Sequence, residues 1–270
     1  MTQPEVRLSV IGCGRMAQAL LAGLSVGTPL FDAIVAYDLN KSVLDQAAAK
    51  YGAEPVASAQ EAARRADYIL LAVKPAQIIP LLFELKPALK AGHTLISVAA
   101  GITVESMAEA AGPGIGIVRV MPNTPSLIGE GMTAVCFDDG VTESARGIAL
   151  RLFASVGEAI VVPESYMDAV TAIAGSGPAY FYLMADAMMD AAVDIGLPRD
   201  MARILVQQTM SGTGQMLKKT GEHPAALRDQ VTSPGGTSIA GIRSLELNGF
   251  RGAIHQAIRT AFERAGQLRK

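Results

Sequence analysis

The chain has 270 residues, half of them hydrophobic, and a formal net charge of −2, with a sequence pI near 6.0. That length suits one large or two ordinary domains, with two the expectation, and the balanced charge without a Lys/Arg cluster argues against a nucleic-acid partner. No apolar run approaches the roughly 20 residues that span a bilayer, and MTQPEVRLSVIG carries no leader pattern. Cys13 and Cys136 have neither metal-ligand nor redox-pair spacing, so no membrane role and a reducing, cytoplasmic setting are expected.

From Val6 a β-rich run, VRLSVIG, meets glycines and then MAQALLAGLSVG, where Met16, Leu20 and Leu24 recur at helical spacing. A second strand, AIVAYD, ends at Asp38, and KSVLDQAAAKYG follows as a helix closed by Gly52. Further strands are expected at 68–73, 94–100 and 116–122. Continuous apolar strands alternating with helices predict a parallel sheet covered on both faces.

Gly12, Gly14 and Ala17 follow the first strand and open the first helix. Gly12 permits a tight turn, Gly14 lets backbone approach a pyrophosphate, and the helix N-terminus supplies free N–H groups; a plain packing turn is the alternative. Asp38, 26 residues after Gly12, suits the ribose 2′-OH of NAD, whereas Asn40 and Lys41 would suit a phosphate if Asp38 turned away. An ordinary acidic turn residue is the third option. The loops AVKP (72–75) and MPNTP (121–125) follow strands at the edge where ligands of this architecture bind, which directs Lys74 and Asn123 toward the nicotinamide end. A snorkelling lysine and a turn asparagine are the bland counterparts.

After GEAIVVPE (157–164) strand-like runs give way to long helical patterns, placing a boundary near Pro163 and two domains, 1–163 and 164–270. The helix from Pro178 to Ile195 is apolar on several faces, including Phe181, Leu183, Met188 and Val193, so cover from a second copy is expected. Ser176 and Pro178 in GSGP read as a helix start, and glycines recur at 211–214.

His93, His223 and His255 lie apart, away from the glycine motifs, and take surface or structural roles. No cluster has metal-ligand spacing, so no metal site is expected, and neither a serine-hydrolase elbow nor a phosphate-binding lysine loop occurs. A nucleotide fold without these points to hydride transfer, with the cofactor carrying the difficult chemistry. The stretch VTSPGGTSIAGI (231–242) leads into a helical run. Its backbone N–H groups suit a carboxylate and its hydroxyls suit a neighbouring nitrogen, against the plain alternative of a capped helix start.

At IGCGRMAQAL, LAVKP, SVAAGI, RVMPNTP, DAVTAIAGSGPAY, QVTSPGGTSIAGI and LELNGFRGAIHQAI the chain resembles the pyrroline-5-carboxylate reductase family, over nearly its whole length. The resemblance implies an α/β Rossmann domain with a doubly wound, mostly parallel sheet, followed by an all-α dimerisation domain that forms a homodimer, sometimes within a larger ring. It implies NADPH- or NADH-dependent reduction of 1-pyrroline-5-carboxylate to L-proline, the last step of proline biosynthesis. Gly12, Gly14, Met16 and Ala17 would then cradle the pyrophosphate. Ala72, Lys74 and Pro75, with Ala99, Ala100, Gly101 and Asn123, would lie along the cofactor, while Asp38 and Asn40 bear on its adenosine end.

The resemblance further implies that Ser233, Gly235, Gly236 and Thr237 hold the substrate carboxylate through their amides, with Ser238 as the catalytic hydroxyl beside the imine nitrogen. Ser238 stands where the family usually has threonine, so the hydroxyl is kept and the methyl that restricts its rotamers is lost. Ala17 leans toward NADP and Asp38 toward NAD. Another Rossmann imine or hydroxy-acid dehydrogenase, for which no lysine or histidine catalyst is evident, and a non-catalytic nucleotide-binding protein remain the rival readings.

Overall fold

A computed structural model describes residues 6–269; residues 1–5, part of the segment read for a leader, lie outside the described residues. Among the described residues one sheet holds β1 (Arg7–Ile11), β2 (Ala33–Tyr37), β3 (Glu54–Pro55), β4 (Tyr68–Leu71), β5 (Thr94–Ser97), β6 (Gly116–Met121), β7 (Gly131–Phe137) and β8 (Gly157–Val161). Their spatial order is β3-β2-β1-β4-β5-β6-β7-β8. The chain winds outward from β1 through β2 to β3, then returns to β4 on the other side of β1. That reversal is the switch point at which open α/β sheets bind ligands.

Helices α1 (Arg15–Leu24), α2 (Lys41–Tyr51), α3 (Ala59–Arg64), α4 (Pro75–Leu85), α5 (Val104–Ala111) and α6 (Glu143–Ala154) cover the sheet. Strands β1, β2, β4, β5 and β6 feed both faces. Leu8, Val10, Leu70 and Val118 pack with Leu20, Leu21 and Phe153 on one side, while Ile11, Ile69, Leu71 and Ile117 pack with Ile78 and Leu82 on the other. This is why YILL in β4 is buried at every position and why continuous apolar runs read as two-sided strands. Gly52 closes α2 at φ +69° as read, and the Asn40 side chain caps its start by accepting from the Ser42 N–H.

Two features depart from expectation. The segment GMTAVCF, not read as a strand, forms β7, which runs antiparallel to β6 with Arg119 opposite Cys136 and parallel to β8; the sheet is mostly parallel, as the resemblance implies. The region 171–175 is a π turn, and the Ser176 N–H donates to Thr171 O at 2.8 Å. Ser176 has helical φ and ψ, so GSGP continues a helical path instead of capping a new one.

The chain divides into two compact units, residues 1–176 with 261–270, and residues 177–260. The division falls later than Pro163 for a physical reason. Glu164 accepts from the Arg119 guanidinium at 2.8 Å and from the Val104 N–H at 2.8 Å, and Met167 in α7 (Met167–Val170) is buried with Ala134 and Cys136. Residues 164–176 therefore pack on the sheet although their sequence looks helical.

The second unit holds α8 (Gly177–Asp194), α9 (Arg199–Thr220), α10 (Pro224–Gln230), α11 (Thr237–Leu247) and the beginning of α12 (Phe250–Leu268), whose end belongs to the first unit. Helices α8 and α9 pack on each other across a turn at Gly196, φ +100°. Their buried positions are confined to Gly177, Ala202 and Val206, while Phe181 is 60% exposed and Leu183 71% exposed. An apolar surface of this extent marks self-association. Among the described residues no helix is long and apolar enough to cross a membrane, and no three His, Cys, Asp or Glu side chains are grouped to hold a metal ion.

Candidate active site

A cleft of about 490 Å³ opens at the switch point, lined by the turn after β1, the end of β2, the turn after β4 and one face of α4. Gly12 occupies φ +92°, and a β-carbon there would lie 2.7 Å from the backbone oxygen of Ala72. Both the conformation and the space demand glycine. Gly14 differs: it caps α1 in extended conformation, and a β-carbon there would meet nothing within 4 Å. The chain leaves room at that point beside the N–H groups that open α1, with no acidic residue in its first turn. A cradle without side chains, at the positive end of a helix, is the donor arrangement a pyrophosphate needs.

Asp38 fixes this turn. One carboxylate oxygen accepts from the Cys13 N–H at 2.7 Å and the other from the Asn40 N–H at 2.7 Å. Asp38 has not turned away, and each oxygen keeps lone-pair capacity for a further donor. The Asn40 side-chain oxygen is occupied as the α2 cap, 3.0 Å from the Ser42 N–H, and Lys41 pairs with Asp45. The phosphate-binding alternative for Asn40 and Lys41 thus finds both side chains already engaged. Burial, and then the charge of Asp38, push the Cys13 thiol up to about 12. It stays protonated and unreactive; only its backbone serves the site.

Of the expected cofactor residues, Gly12, Gly14, Asp38, Ala72 and Lys74 line the cleft together. Lys74 caps α4, its N–H donating to the Gln77 side chain at 3.2 Å, and Pro75 takes the first helical position, where its missing N–H costs nothing. Met16 and Ala17 instead face the sheet: Ala17 is fully buried and Met16 packs on the same cluster. The small Ala17 side chain allows close helix–strand packing, as the third residue of such fingerprints does, which leaves the backbone of the two residues to face the turn. Gln77, Pro80, Leu81 and Glu84 also line the cleft. Their one-face spacing on a helix after LAVKP was the signal available for them.

Ala99, Ala100 and Gly101 follow β5, and Asn123 follows β6, further along the same sheet edge. Ala99 is buried in the core. Gly101, at φ +78°, lies against the end of α12, where a β-carbon would come within 2.6 Å of Leu268 O. The Asn123 amide is a clamp, donating to Ala174 O at 3.1 Å and accepting from the Met132 N–H at 2.9 Å. It ties the loop after β6 to the start of β7 and to the π turn.

None of the three histidines lines the cleft. His93 is buried, its Nδ1 accepting from the Lys90 N–H at 3.4 Å, and burial pulls it below the ordinary value of 6.5. His223 caps α10, and His255 lies on α12.

In the second unit, Ser233 to Gly236 forms a tight turn closed by the Gly236 N–H to Ser233 O at 3.0 Å, with Pro234 second and Gly235 at φ +69° third. That is a type II turn, whose third position requires glycine. Gly236 then caps α11 without a side-chain bond, and the first intrahelical bond is Ala240 N–H to Gly236 O. The N–H groups of Thr237, Ser238 and Ile239 precede it and have no helical acceptor. The Gly236 amide is thus spent within the turn, and of the residues whose amides were expected as donors only Thr237 lies among the three that open α11. Ser233, Gly235, Thr237 and Ser238 are all exposed.

Residues 164–268 match the family model for pyrroline-5-carboxylate reductase dimerisation, and residues 7–101 match that for NADP oxidoreductase, coenzyme F420-dependent. Pyrroline-5-carboxylate reductase of Escherichia coli K12 is 39% identical over 267 residues, 98% of this chain and 99% of that protein. Among solved structures, a pyrroline-5-carboxylate reductase from Coxiella burnetii is similar with TM-score 0.92 and 34% identity, over 97% of this chain and 98% of that one. The Plasmodium falciparum pyrroline carboxylate reductase with NADP bound gives TM-score 0.86 and 33% identity, over 98% of each chain. Relatives of 34–39% identity are matched over nearly their full length, and the chain belongs to the pyrroline-5-carboxylate reductase family.

Proposed function

We propose that the chain reduces 1-pyrroline-5-carboxylate to L-proline with NADPH or NADH, acting in the cytoplasm as a homodimer that can enter a larger ring. The observation that carries the substrate assignment is the 233–238 turn: three N–H groups opening α11 without a side-chain cap, beside hydroxyls and no acidic residue. A carboxylate suits those donors. The apolar surfaces of α8 and α9 support the dimer, and two free, unpaired cysteines support a reducing compartment.

Gly12 and Gly14 admit the pyrophosphate to the start of α1, Asp38 presents acceptors to the adenosine ribose, and Ala72 and Lys74 border the path toward the nicotinamide. Ala99, Ala100, Gly101 and Asn123 continue that path along the sheet edge, Asn123 by holding its loop rather than through a free amide. When bound, the reduced nicotinamide supplies a hydride to the imine carbon.

The chain's own contribution on the substrate side is binding and orientation. The amides of Thr237, Ser238 and Ile239, with Gly235 and Ser233 shaping the turn, hold the carboxylate. The Ser238 hydroxyl donates to or accepts from the imine nitrogen and keeps the ring in one orientation. The hydride acceptor is better as an iminium, and a substrate that arrives protonated requires no acid from the chain. The absence of any acid or base in VTSPGGTSIAGI fits that requirement.

Oxidation of NADPH and of NADH, each followed with and without pyrroline-5-carboxylate, tests this function. The imine is expected to accelerate at least one of them, and Ser238→Ala to lower kcat by roughly 10- to 100-fold with a smaller change in KM. An imine that accelerates neither oxidation defeats the function. Unchanged kinetics in Ser238→Ala removes the role of that hydroxyl alone.

A further inference from the structure

We propose that Asp168 and Arg269 form a latch that positions the Ala99–Gly101 turn, making the end of α12 a determinant of cofactor binding. This inference rests on the reading of that turn as part of the cofactor path. Three observations meet at one place in the first unit. Asp168, in α7, is 3% exposed, and its carboxylate pairs with the guanidinium of Arg269. Arg269 directly follows Leu268, the last residue of α12. Leu268 O in turn lies against Gly101, whose φ of +78° and missing side chain are both required there.

The geometry has one direction of action. Asp168 is anchored, because its neighbour Met167 is buried between Ala134 and Cys136. Ala265 is buried and Gly266 passes the Asp168 carboxylate without a side chain, a β-carbon there lying 3.8 Å from it. A carboxylate so enclosed is strongly unfavourable without its counter-charge, so it holds Arg269 in place and with it the Leu268 carbonyl. Ile102 and Ala99, on either side of the turn, are buried. The turn therefore has core packing at both ends and the end of α12 against its middle. Neither side chain of the pair is placed against the reacting atoms; they are positioning residues acting through Leu268 and Gly101.

The test compares wild type, Arg269→Ala, Arg269→Lys and Asp168→Asn as full chains, with dimer state and thermal midpoint measured for each. Binding of NADPH and NADH is read from nucleotide fluorescence. Arg269→Ala is expected to weaken dinucleotide binding roughly five- to tenfold while KM for the imine moves less than about twofold, and Arg269→Lys to recover most of the loss. Asp168→Asn keeps the shape and is expected to weaken dinucleotide binding in the same direction.

Hydrogen exchange of the 99–101 amides in wild type, with and without dinucleotide, separates the two layers of inference. No protection on binding overturns the cofactor path through this turn and the latch with it. Protection in wild type together with unchanged dinucleotide affinity in Arg269→Ala overturns the latch alone, as does an equal loss of imine and dinucleotide affinity.

Discussion

The two oxygens of Asp38 are held by two backbone N–H groups, so this side chain is at once a ligand candidate and the peg on which the glycine turn hangs. Cofactor choice and loop integrity therefore separate by substitution. Asp38→Asn keeps one acceptor and removes the charge that opposes a 2′-phosphate. The ratio of kcat/KM for NADPH over NADH is expected to rise about tenfold, a difference of roughly 1.4 kcal/mol. Asp38→Ala also strips the acceptor from the buried Cys13 N–H, whose desolvation costs about 1–3 kcal/mol, and is expected to weaken both dinucleotides in addition to that shift of preference. A ratio indifferent to Asp38→Asn would place the ribose contact elsewhere.

His93 gives a second residue-scale outcome. Burial, then Lys90, lower its folded value beneath 6.5, so the unfolded chain binds this proton more readily than the native one. Stability is then expected to fall as pH drops below about 6.5, and His93→Gln to flatten that limb of a denaturation series taken against pH.

At the scale of elements, strands with continuous apolar runs, β1, β2, β4, β5 and β6, were plain in the sequence, as were the glycine stop of α2 and the opening of α1. The antiparallel β7 was not. Gly131–Phe137 follows a 3₁₀ turn at Thr124–Ile128 instead of a recognisable hairpin pair, so neither local turn chemistry nor a long run announced it. The helical pattern of residues 164–176 was legible, but their packing through Arg119, 45 residues distant from Glu164, was not, because no local period encodes it.

The 233–238 turn was legible in residue type and only partly in detail. The glycines marked a tight turn, whereas the spending of the Gly236 amide inside it depends on backbone geometry. Gly235 has the left-handed conformation, which costs a β-carbon-bearing residue about 1–2 kcal/mol. Gly235→Ala is therefore expected to raise KM for the imine roughly 5- to 30-fold while dinucleotide affinity is unchanged. A shift confined to thermal stability would speak for a purely structural turn.

For the whole molecule, the apolar faces of the second unit are the main thermodynamic debt of a single chain. Phe181, Leu183, Met188 and Ile204 are exposed within it, and only association covers them. The thermal midpoint is expected to rise with protein concentration, because a partner that binds only the folded state stabilises it by mass action. Met188→Lys is expected to yield monomers by light scattering and a lower midpoint, with NADH fluorescence enhancement retained by the first unit. A midpoint independent of concentration and a dimeric Met188→Lys would put the association surface elsewhere.

The first unit is built from both ends of the chain, and that has a consequence for the order of folding. Domains generally close from the N-terminal side as they are synthesised. Here Asp168 waits for a partner 101 residues later, and Gly101 waits for Leu268. The helical unit must be made in full before the nucleotide unit acquires its last contacts. During synthesis, the cofactor half would thus be finished only after the half that finds a second copy.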